Sequence, residues 1–174
     1  YIADNIGFIY AISSESGKLI WLKNYEVPLK SNIKIFDDKM FVINQDNRLL
    51  CLDIKNGSKI WDVRSLSSFI KSQNFLALAI SKGGDLVTLN SSGDLLKIKA
   101  NSGEIYWSLN TTNPLTVDTA FFKSSEIVID DNDIIFSTSS SIFSFDLSDG
   151  YLNWQKDISS KNTPIIDGNN IFLI

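Results

Sequence analysis

The chain has 174 residues, a net charge of −4, 44% hydrophobic residues and no histidine. This length and apolar content can bury a core, and no apolar run approaches the ~20 residues that cross a bilayer. The 16 Lys and Arg residues are scattered along the sequence. A duplex nucleic-acid partner is therefore not expected, because a phosphate backbone requires a concentrated positive surface. The missing histidine excludes Ser-His-Asp and Cys-His catalysis and every His-ligated metal site.

The first clear element is an alternating apolar run, residues 10–13, followed by a turn, a glycine and a short run that ends in tryptophan. Alternation with a period of two predicts a half-buried strand. A glycine at the close of the turn indicates a hairpin residue with positive φ. The same order recurs three more times and uses all four tryptophans of the chain: Gly17 and Trp21, Gly57 and Trp61, Gly103 and Trp107, Gly150 and Trp154.

These tryptophans are 40, 46 and 47 residues apart, an interval typical of propeller blades or solenoid units. Two further apolar runs precede each of the last three hairpins, so each full unit predicts four antiparallel strands. No stretch has convincing helical periodicity. We therefore predict an all-β fold, a partial β-propeller of about four blades in one segment over 1–174, with a further unit starting at 163–174. Four indoles in register suggest side chains wedged between adjacent blades.

The segments between one tryptophan and the next unit's second strand differ in length. There are 19 residues from Trp21 to Met40, but 25 from Trp61 to Leu86 and 27 from Trp107 to Ile134. Apolar side chains in the longer segments are a candidate partner-binding patch, with folding back over the blades as the alternative. They are Leu66, Phe69, Ile70, Leu115, Val117, Phe121 and Phe122.

Two features that suggest chemistry have simpler structural interpretations. Cys51 occupies a small-residue position of a predicted strand, which favours a buried residue over a reactive thiol. The run Asp130-Asp131-Asn132-Asp133 lacks the spacing and the downstream glutamate of a calcium loop, and it lies where a polar turn is expected. The sequence therefore predicts no catalytic, cofactor-binding or metal-binding residue.

The pattern Ala-x-Asp-x-x-x-Gly-x-x-x-Trp, on units of four strands, resembles the PQQ-like (quinoprotein) β-propeller repeat. Residues 11–21 fit it closely, and residues 51–61 and 144–154 fit nearly as well, whereas the third unit departs at Lys97 and Lys99. Within that superfamily, residues 33–49 look like the strand, turn and strand of a central blade in the BamB family. The resemblance covers practically the whole chain.

The resemblance implies a non-enzymatic scaffold in the assembly or insertion of outer-membrane β-barrel proteins. Members of that family are eight-bladed, lipid-anchored and periplasmic, and they bind the barrel-forming protein BamA. The family's lipidated N-terminal cysteine is missing here, so a membrane anchor is inferred only for a parent protein. Both ends of the chain fall within a repeat, and we expect an internal segment of a longer protein.

Two other functions stay open. A fragment of a PQQ-dependent dehydrogenase is disfavoured by the single cysteine and by the lack of a recognisable calcium-ligand set. A ligand-sensing propeller would be indicated by a small molecule that saturably raises the melting temperature. An open half-ring also exposes unpaired strand edges, so a homodimer that closes an eight-bladed ring is a further hypothesis.

Overall fold

The computed structural model describes residues 1–64, 71–111 and 123–174, which form strands and turns without any helix. No helix that could cross a bilayer is therefore found in these ranges. The strands form five antiparallel sheets in chain order. The first sheet holds β1 (Ile2–Ala3), β2 (Phe8–Ile12) and β3 (Leu19–Asn24); the second β4 (Lys34–Phe36), β5 (Lys39–Ile43), β6 (Arg48–Asp53) and β7 (Lys59–Arg64); the third β8 (Ala77–Ile80), β9 (Asp85–Leu89), β10 (Asp94–Lys99) and β11 (Ile105–Asn110); the fourth β12 (Val128–Asp130), β13 (Asp133–Ser137), β14 (Ile142–Asp146) and β15 (Leu152–Lys156); and the fifth β16 (Ile165–Asp167) and β17 (Asn170–Phe172).

The three middle sheets have four strands each, hydrogen-bonded in the order in which they occur along the chain. The first strands of neighbouring sheets contact each other, β4 with β8 and β8 with β12. They therefore lie closest to the common axis, and the last strands lie at the outer edge, where β3 and β15 are mostly exposed. This arrangement confirms the predicted all-β partial propeller with blades of four antiparallel strands.

The hairpin between the third and fourth strands has the same geometry in four units. Each glycine has a positive φ, between 67° and 79°, and donates its backbone N–H to the carbonyl four residues earlier at 2.8–2.9 Å. A left-handed backbone costs glycine nothing sterically, as the sequence predicted. Each tryptophan pairs across the hairpin with a residue just before a register shift: Trp21 with Ala11, Trp61 with Cys51, Trp107 with Lys97, and Trp154 with Ser144.

The core lies between the sheets. Side chains from opposite faces of one sheet pack against its two neighbours, because successive strand residues point to opposite faces. The second sheet shows this alternation. Met40 and Val42 pack with Ile9 of the first sheet, whereas Phe41 and Ile43 pack with the third sheet. All four are at most 3% exposed, so every full blade needs a neighbour on each side.

Each of the first three tryptophans joins its own sheet to the next one. Its indole Nε1–H donates to a backbone carbonyl three residues before the next sheet's hairpin glycine, and its ring lies over that glycine. A Cβ on the glycine would come within 2.8–3.0 Å of the ring, closer than in nine of ten contacts that real Cβ atoms make. The contacts are Trp21 with Ile54 O at 3.0 Å over Gly57, Trp61 with Ala100 O at 3.2 Å over Gly103, and Trp107 with Leu147 O at 3.2 Å over Gly150.

This geometry predicts that alanine is tolerated differently at two hairpin glycines. Both Gly17 and Gly103 have positive φ, but a Cβ on Gly17 meets nothing within 4 Å, whereas a Cβ on Gly103 lies 2.9 Å from the Trp61 ring. In dilute solution, we expect Gly17→Ala to cost about 1 kcal/mol of unfolding free energy from backbone strain. We expect Gly103→Ala to cost about 2–3 kcal/mol, because the indole must move and lose its hydrogen bond.

Urea denaturation measures both values. In a Trp61→Ala background the extra cost of Gly103→Ala should disappear, because the ring that blocks the Cβ is gone. Equal costs at the two glycines in the unmodified chain would contradict the inter-sheet contact.

Candidate protein-binding surface

The apolar residues that the sequence nominates for partner binding cannot be placed. Residues 65–70 and 112–122 lie outside the described ranges, and these segments contain Leu66, Phe69, Ile70, Leu115, Val117, Phe121 and Phe122. Both segments follow an outer strand, β7 or β11, and precede an inner strand, β8 or β12. The candidate patch from the long segments therefore stays a prediction.

The described residues form a second surface, where the chain enters the innermost strands. Four residues occupy the same position in consecutive units, five residues before an isoleucine that pairs with the second strand. We call this set the axial row. It consists of Lys30, Phe75, Ser124 and Lys161, which precede Ile35, Ile80, Ile129 and Ile166.

Two open depressions lie along the axial row, and Phe75 lines both. The larger, of about 670 Å³, is lined by Lys30 and Lys34 among others. The smaller, of about 260 Å³, is lined by Lys123, Ser124 and Lys161. The second sheet and the segments that precede the third, fourth and fifth sheets thus contribute to one surface near the axis.

The position of this surface depends on backbone contacts between units. The Leu76 N–H donates to the Lys30 carbonyl at 2.6 Å, which fixes the start of the third sheet against the second. The Ser31 and Ser125 hydroxyls each accept a hydrogen bond from a second-strand amide, that of Ile43 or Ser137, at 2.8 and 3.0 Å. Repeated serines therefore hold the entry to two of the inner strands.

A carboxylate beside this row has an unusual environment. Glu126 Oε1 accepts a hydrogen bond from Asn32 Nδ2 at 3.1 Å, a contact between the fourth and second sheets. Its other oxygen is buried without a hydrogen-bond partner among the described residues. Burial raises the pKa of the Glu126 carboxyl, and the nearby Lys34 ammonium offsets only part of that effect.

Cys51 and the acidic run at Asp130, which the sequence offers as possible reactive or metal-binding groups, both have structural roles. Cys51 is fully buried, and burial raises the pKa of its thiol to about 12, so the reactive thiolate is not populated near neutral pH. In the acidic run 130–133, Asp131 and Asn132 form the two-residue turn between β12 and β13, and Asp131 has a φ of 47°. Asp37 has the same role in the second sheet at φ 53°. In the part of the chain that the structure describes, no group of three potential ligands could hold a metal ion.

Comparison with known proteins decides the family. A family model described as "Outer membrane protein assembly factor BamB" matches residues 1–174, the whole chain. The chain belongs to the BamB family. Its PQQ-like repeat, inferred from the Gly-x-x-x-Trp motif, is the repeat of that family.

Relatives and solved structures agree with this assignment at low identity. The BamB proteins of Shewanella oneidensis and Nitrosomonas eutropha are 22% and 21% identical to it, over 100% and 91% of this chain but only 45% and 40% of their own length. The crystal structure of BamB from Moraxella catarrhalis matches 98% of this chain and 54% of that one, with a TM-score of 0.75 and 18% identity. The chain thus spans about half the length of the BamB proteins it matches.

A quinoprotein enzyme shares the same fold. Quinohemoprotein alcohol dehydrogenase from Comamonas testosteroni matches 98% of this chain and 37% of that one, with a TM-score of 0.69 and 14% identity. Identity this low shows the fold alone. It therefore does not transfer the dehydrogenase activity to this BamB-family chain.

The environment of Glu126 predicts a pH-dependent effect of Glu126→Gln on stability. The pKa of Glu126 in the folded chain is raised above its ordinary value of 4.5, so the folded state binds the proton more tightly than the unfolded state. The carboxyl's contribution to stability is therefore largest below about pH 4.5 and falls as the pH rises through the folded pKa. Glutamine does not titrate, so the unfolding free energy of the variant should improve relative to the unmodified chain between pH 4 and 7.

Urea denaturation at several pH values tests this. Glu15→Gln on the exposed first hairpin removes the same charge at a solvent-exposed site and is the matched control. A stability difference between Glu126→Gln and the unmodified chain that does not change with pH would contradict the assigned environment.

Proposed function

We propose that this chain acts as a non-enzymatic protein-binding scaffold in the assembly or insertion of outer-membrane β-barrel proteins. Its partner would be a BamA-like barrel assembly protein, and its place of action the periplasm at the outer membrane. The observation that carries the proposal is the match of the BamB family model to all 174 residues. The function of the relatives in outer membrane protein assembly is proposed for this chain only through that membership.

The fold supports a positional mechanism. Three indoles lock successive sheets together through a hydrogen bond and a close ring contact with glycine. Buried side chains from both neighbours fill each interface between sheets. Loops that leave such a framework are held at fixed spacing, which lowers the entropy lost when a partner docks on several of them.

The two alternatives have less support. The dehydrogenase likeness is one of fold at 14% identity, and the chain has no histidine and one cysteine. That cysteine is buried, with the pKa of its thiol raised to about 12 by burial. In the described ranges, the support for a ligand-sensing role comes from the two open depressions beside Phe75.

A pull-down with the periplasmic domains of a BamA homologue tests the scaffold proposal. We expect specific binding by the folded chain, and loss of that binding in a Phe121→Ser and Phe122→Ser double variant if the long segment after β11 carries the contact. Ile20→Ser on the outer strand β3, where Ile20 is 64% exposed, removes exposed apolar surface elsewhere and should bind normally. A chain shown to be folded by circular dichroism that binds no BamA domain would refute the proposed partner.

We also propose that a second copy of the chain closes the ring. The first and last sheets are complementary, because β16 and β17 occupy the first and second strand positions and β2 and β3 occupy the third and fourth. A sheet formed by β16 and β17 of one copy with β2 and β3 of the other would have four strands. It would displace only β1, which has two residues. Each copy would then contribute to a ring of eight blades.

Exposed positions on the two end sheets support this closure. On the first sheet, Ile12 is 38% exposed, and on the fifth, Phe172 is 53% exposed. Their counterparts on the second sheet, Leu52 and Phe41, are fully buried. Burial of such residues is favourable by roughly 1.5–3 kcal/mol each.

The end units also carry one tryptophan and one hairpin glycine that, among the described residues, do not make the inter-sheet contact between indole and glycine. Gly17 has nothing within 4 Å of where its Cβ would lie, and Trp154 has no hydrogen-bond acceptor among the described residues of its own copy. In the proposed ring, the Trp154 indole of one copy would lie over Gly17 of the other, with the Ser14 carbonyl as its acceptor, by analogy with the three contacts within the chain. In a longer chain, further repeat units of the same chain would make these contacts with Gly17 and Trp154 in place of a second copy.

Light scattering at tens of micromolar tests the dimer. We expect twice the chain mass of 19.5 kDa, with dissociation in Trp154→Ala, and with a cost of Gly17→Ala that grows with protein concentration because the new Cβ blocks the incoming indole. Tyr151→Ser removes an aromatic ring from the same outer strand region, where it is 75% exposed, and should leave the dimer intact. A monodisperse monomer at this concentration would rule the dimer out.

A further inference from the structure

We propose that the axial row binds an extended protein segment with carboxylates on both sides of an apolar side chain. All residues of this surface lie in the described ranges. The inference rests on the proposed scaffold function and adds the chemistry of the segment that docks. It is carried by one exposed aromatic ring with lysines on either side that form no ion pair with another described residue.

Phe75 is the apolar centre of this surface. Its side chain is 53% exposed, although Leu76 beside it is 2% exposed and belongs to the core between the second and third sheets. The Leu76 amide is fixed by the hydrogen bond to the Lys30 carbonyl, so the backbone that presents Phe75 is held in place. A rigidly placed aromatic ring loses little conformational entropy on binding and is a common energetic centre of interfaces.

The charges around Phe75 are arranged on its two sides. Lys30 and Lys34 line the larger depression, and Lys123 and Lys161 line the smaller one. None of these four lysines forms an ion pair with another described residue. Five other lysines of the chain do: Lys39, Lys59, Lys71, Lys82 and Lys97.

The carboxylates near the row form no ion pair with its lysines among the described residues. Asp4, which lines the larger depression, accepts hydrogen bonds from the amides of Ile6 and Phe8. Glu126 is close enough to Lys34 for the two charges to interact, but it accepts its hydrogen bond from Asn32. The lysines on both sides of Phe75 are therefore available for carboxylates of a partner, which would orient the segment along the row.

The shape and charge of the whole chain favour a protein segment over other anions. Positions from successive units form a row across several sheets, which suits an extended chain with alternating side chains. An apolar ring at its centre adds nothing to the binding of a phosphate or a lipid headgroup. The net charge of −4 opposes every anionic partner at long range, so a partner that also buries an apolar side chain against Phe75 is favoured over one that offers charge alone.

The experiment uses the complete 174-residue chain and a labelled synthetic peptide with three glutamates on each side of a central Leu-Phe pair. Fluorescence anisotropy at low ionic strength should show saturable binding that weakens as salt is raised. A peptide with glutamine at the six acidic positions should bind at least about tenfold more weakly. The titration is repeated with vesicles of phosphatidylglycerol in place of the peptide.

Two pairs of variants localise the binding. Lys123→Glu with Lys161→Glu should weaken binding about tenfold or more, whereas Lys18→Glu with Lys23→Glu, equally exposed on the outer part of the first sheet, changes the net charge identically and should not. Phe75→Ser should weaken binding about fivefold or more, and Ile20→Ser should leave it unchanged. Melting curves establish that each variant is folded.

Each outcome has a distinct meaning. Peptide binding lost in the axial-row variants supports the proposal, even if the BamA pull-down fails and the proposed partner is wrong. No saturable peptide binding, or equal loss in the Lys18 and Lys23 control, overturns it, even if the pull-down succeeds through another surface. Binding to the vesicles without binding to the peptide would make the row a lipid-headgroup site and would also overturn the proposal.

Discussion

The contact between an indole and a glycine of the next sheet is the interaction on which this structure depends. The tryptophan needs an open space above a hairpin, and only a residue without a Cβ provides it. The same hairpin needs a residue that tolerates positive φ. Gly57, Gly103 and Gly150 satisfy both requirements at once, and this explains why both a glycine and a tryptophan recur in the repeat. The hydrogen bond from the indole then joins the outer strand of one sheet to the hairpin of the next.

This constraint leaves other parts of each unit open to variation. The third unit carries Lys97 where the other units have Ala11, Cys51 or Ser144, yet Trp107 still pairs across from it and still reaches Leu147 O. Lys97 is accommodated by an ion pair with Asp85 at 3.1 Å and by the face of Tyr106, 5.1 Å from the ring centroid. A departure from the repeat at one strand position therefore changes only the contacts around that residue. It leaves the contact between sheets intact, because that contact is made by the indole and the hairpin turn.

Sequence alone predicted the elements whose signals are local. The period of two marks the strands, glycine marks the positive φ, and the tryptophan spacing marks the unit, so the all-β blades were predictable. The axial row was not, because Lys30, Phe75 and Lys161 lie far apart in sequence and come together only when sheets pack around an axis. The scattered lysines argue against a duplex nucleic-acid partner, but their positions along the sequence do not show that four of them lie around Phe75. Residues such as Phe121 and Phe122, by contrast, were nominated from loop length and hydrophobicity, which give no position.

The joints between sheets explain why the fold carries so little information about function. A dehydrogenase and an assembly factor match this chain with TM-scores of 0.69 and 0.75, since both need only the same packing of blades. Residues that satisfy this packing, such as Phe41 or Trp61, are constrained by their neighbours and not by a partner. Residues at the entry to the inner strands are under no such constraint, because packing requires neither an exposed phenylalanine nor four lysines that form no ion pair with another described residue. Differences in function among propellers of this kind are therefore expected at surfaces that the packing of blades leaves free, and the axial row around Phe75 is where this chain departs from what its own packing requires.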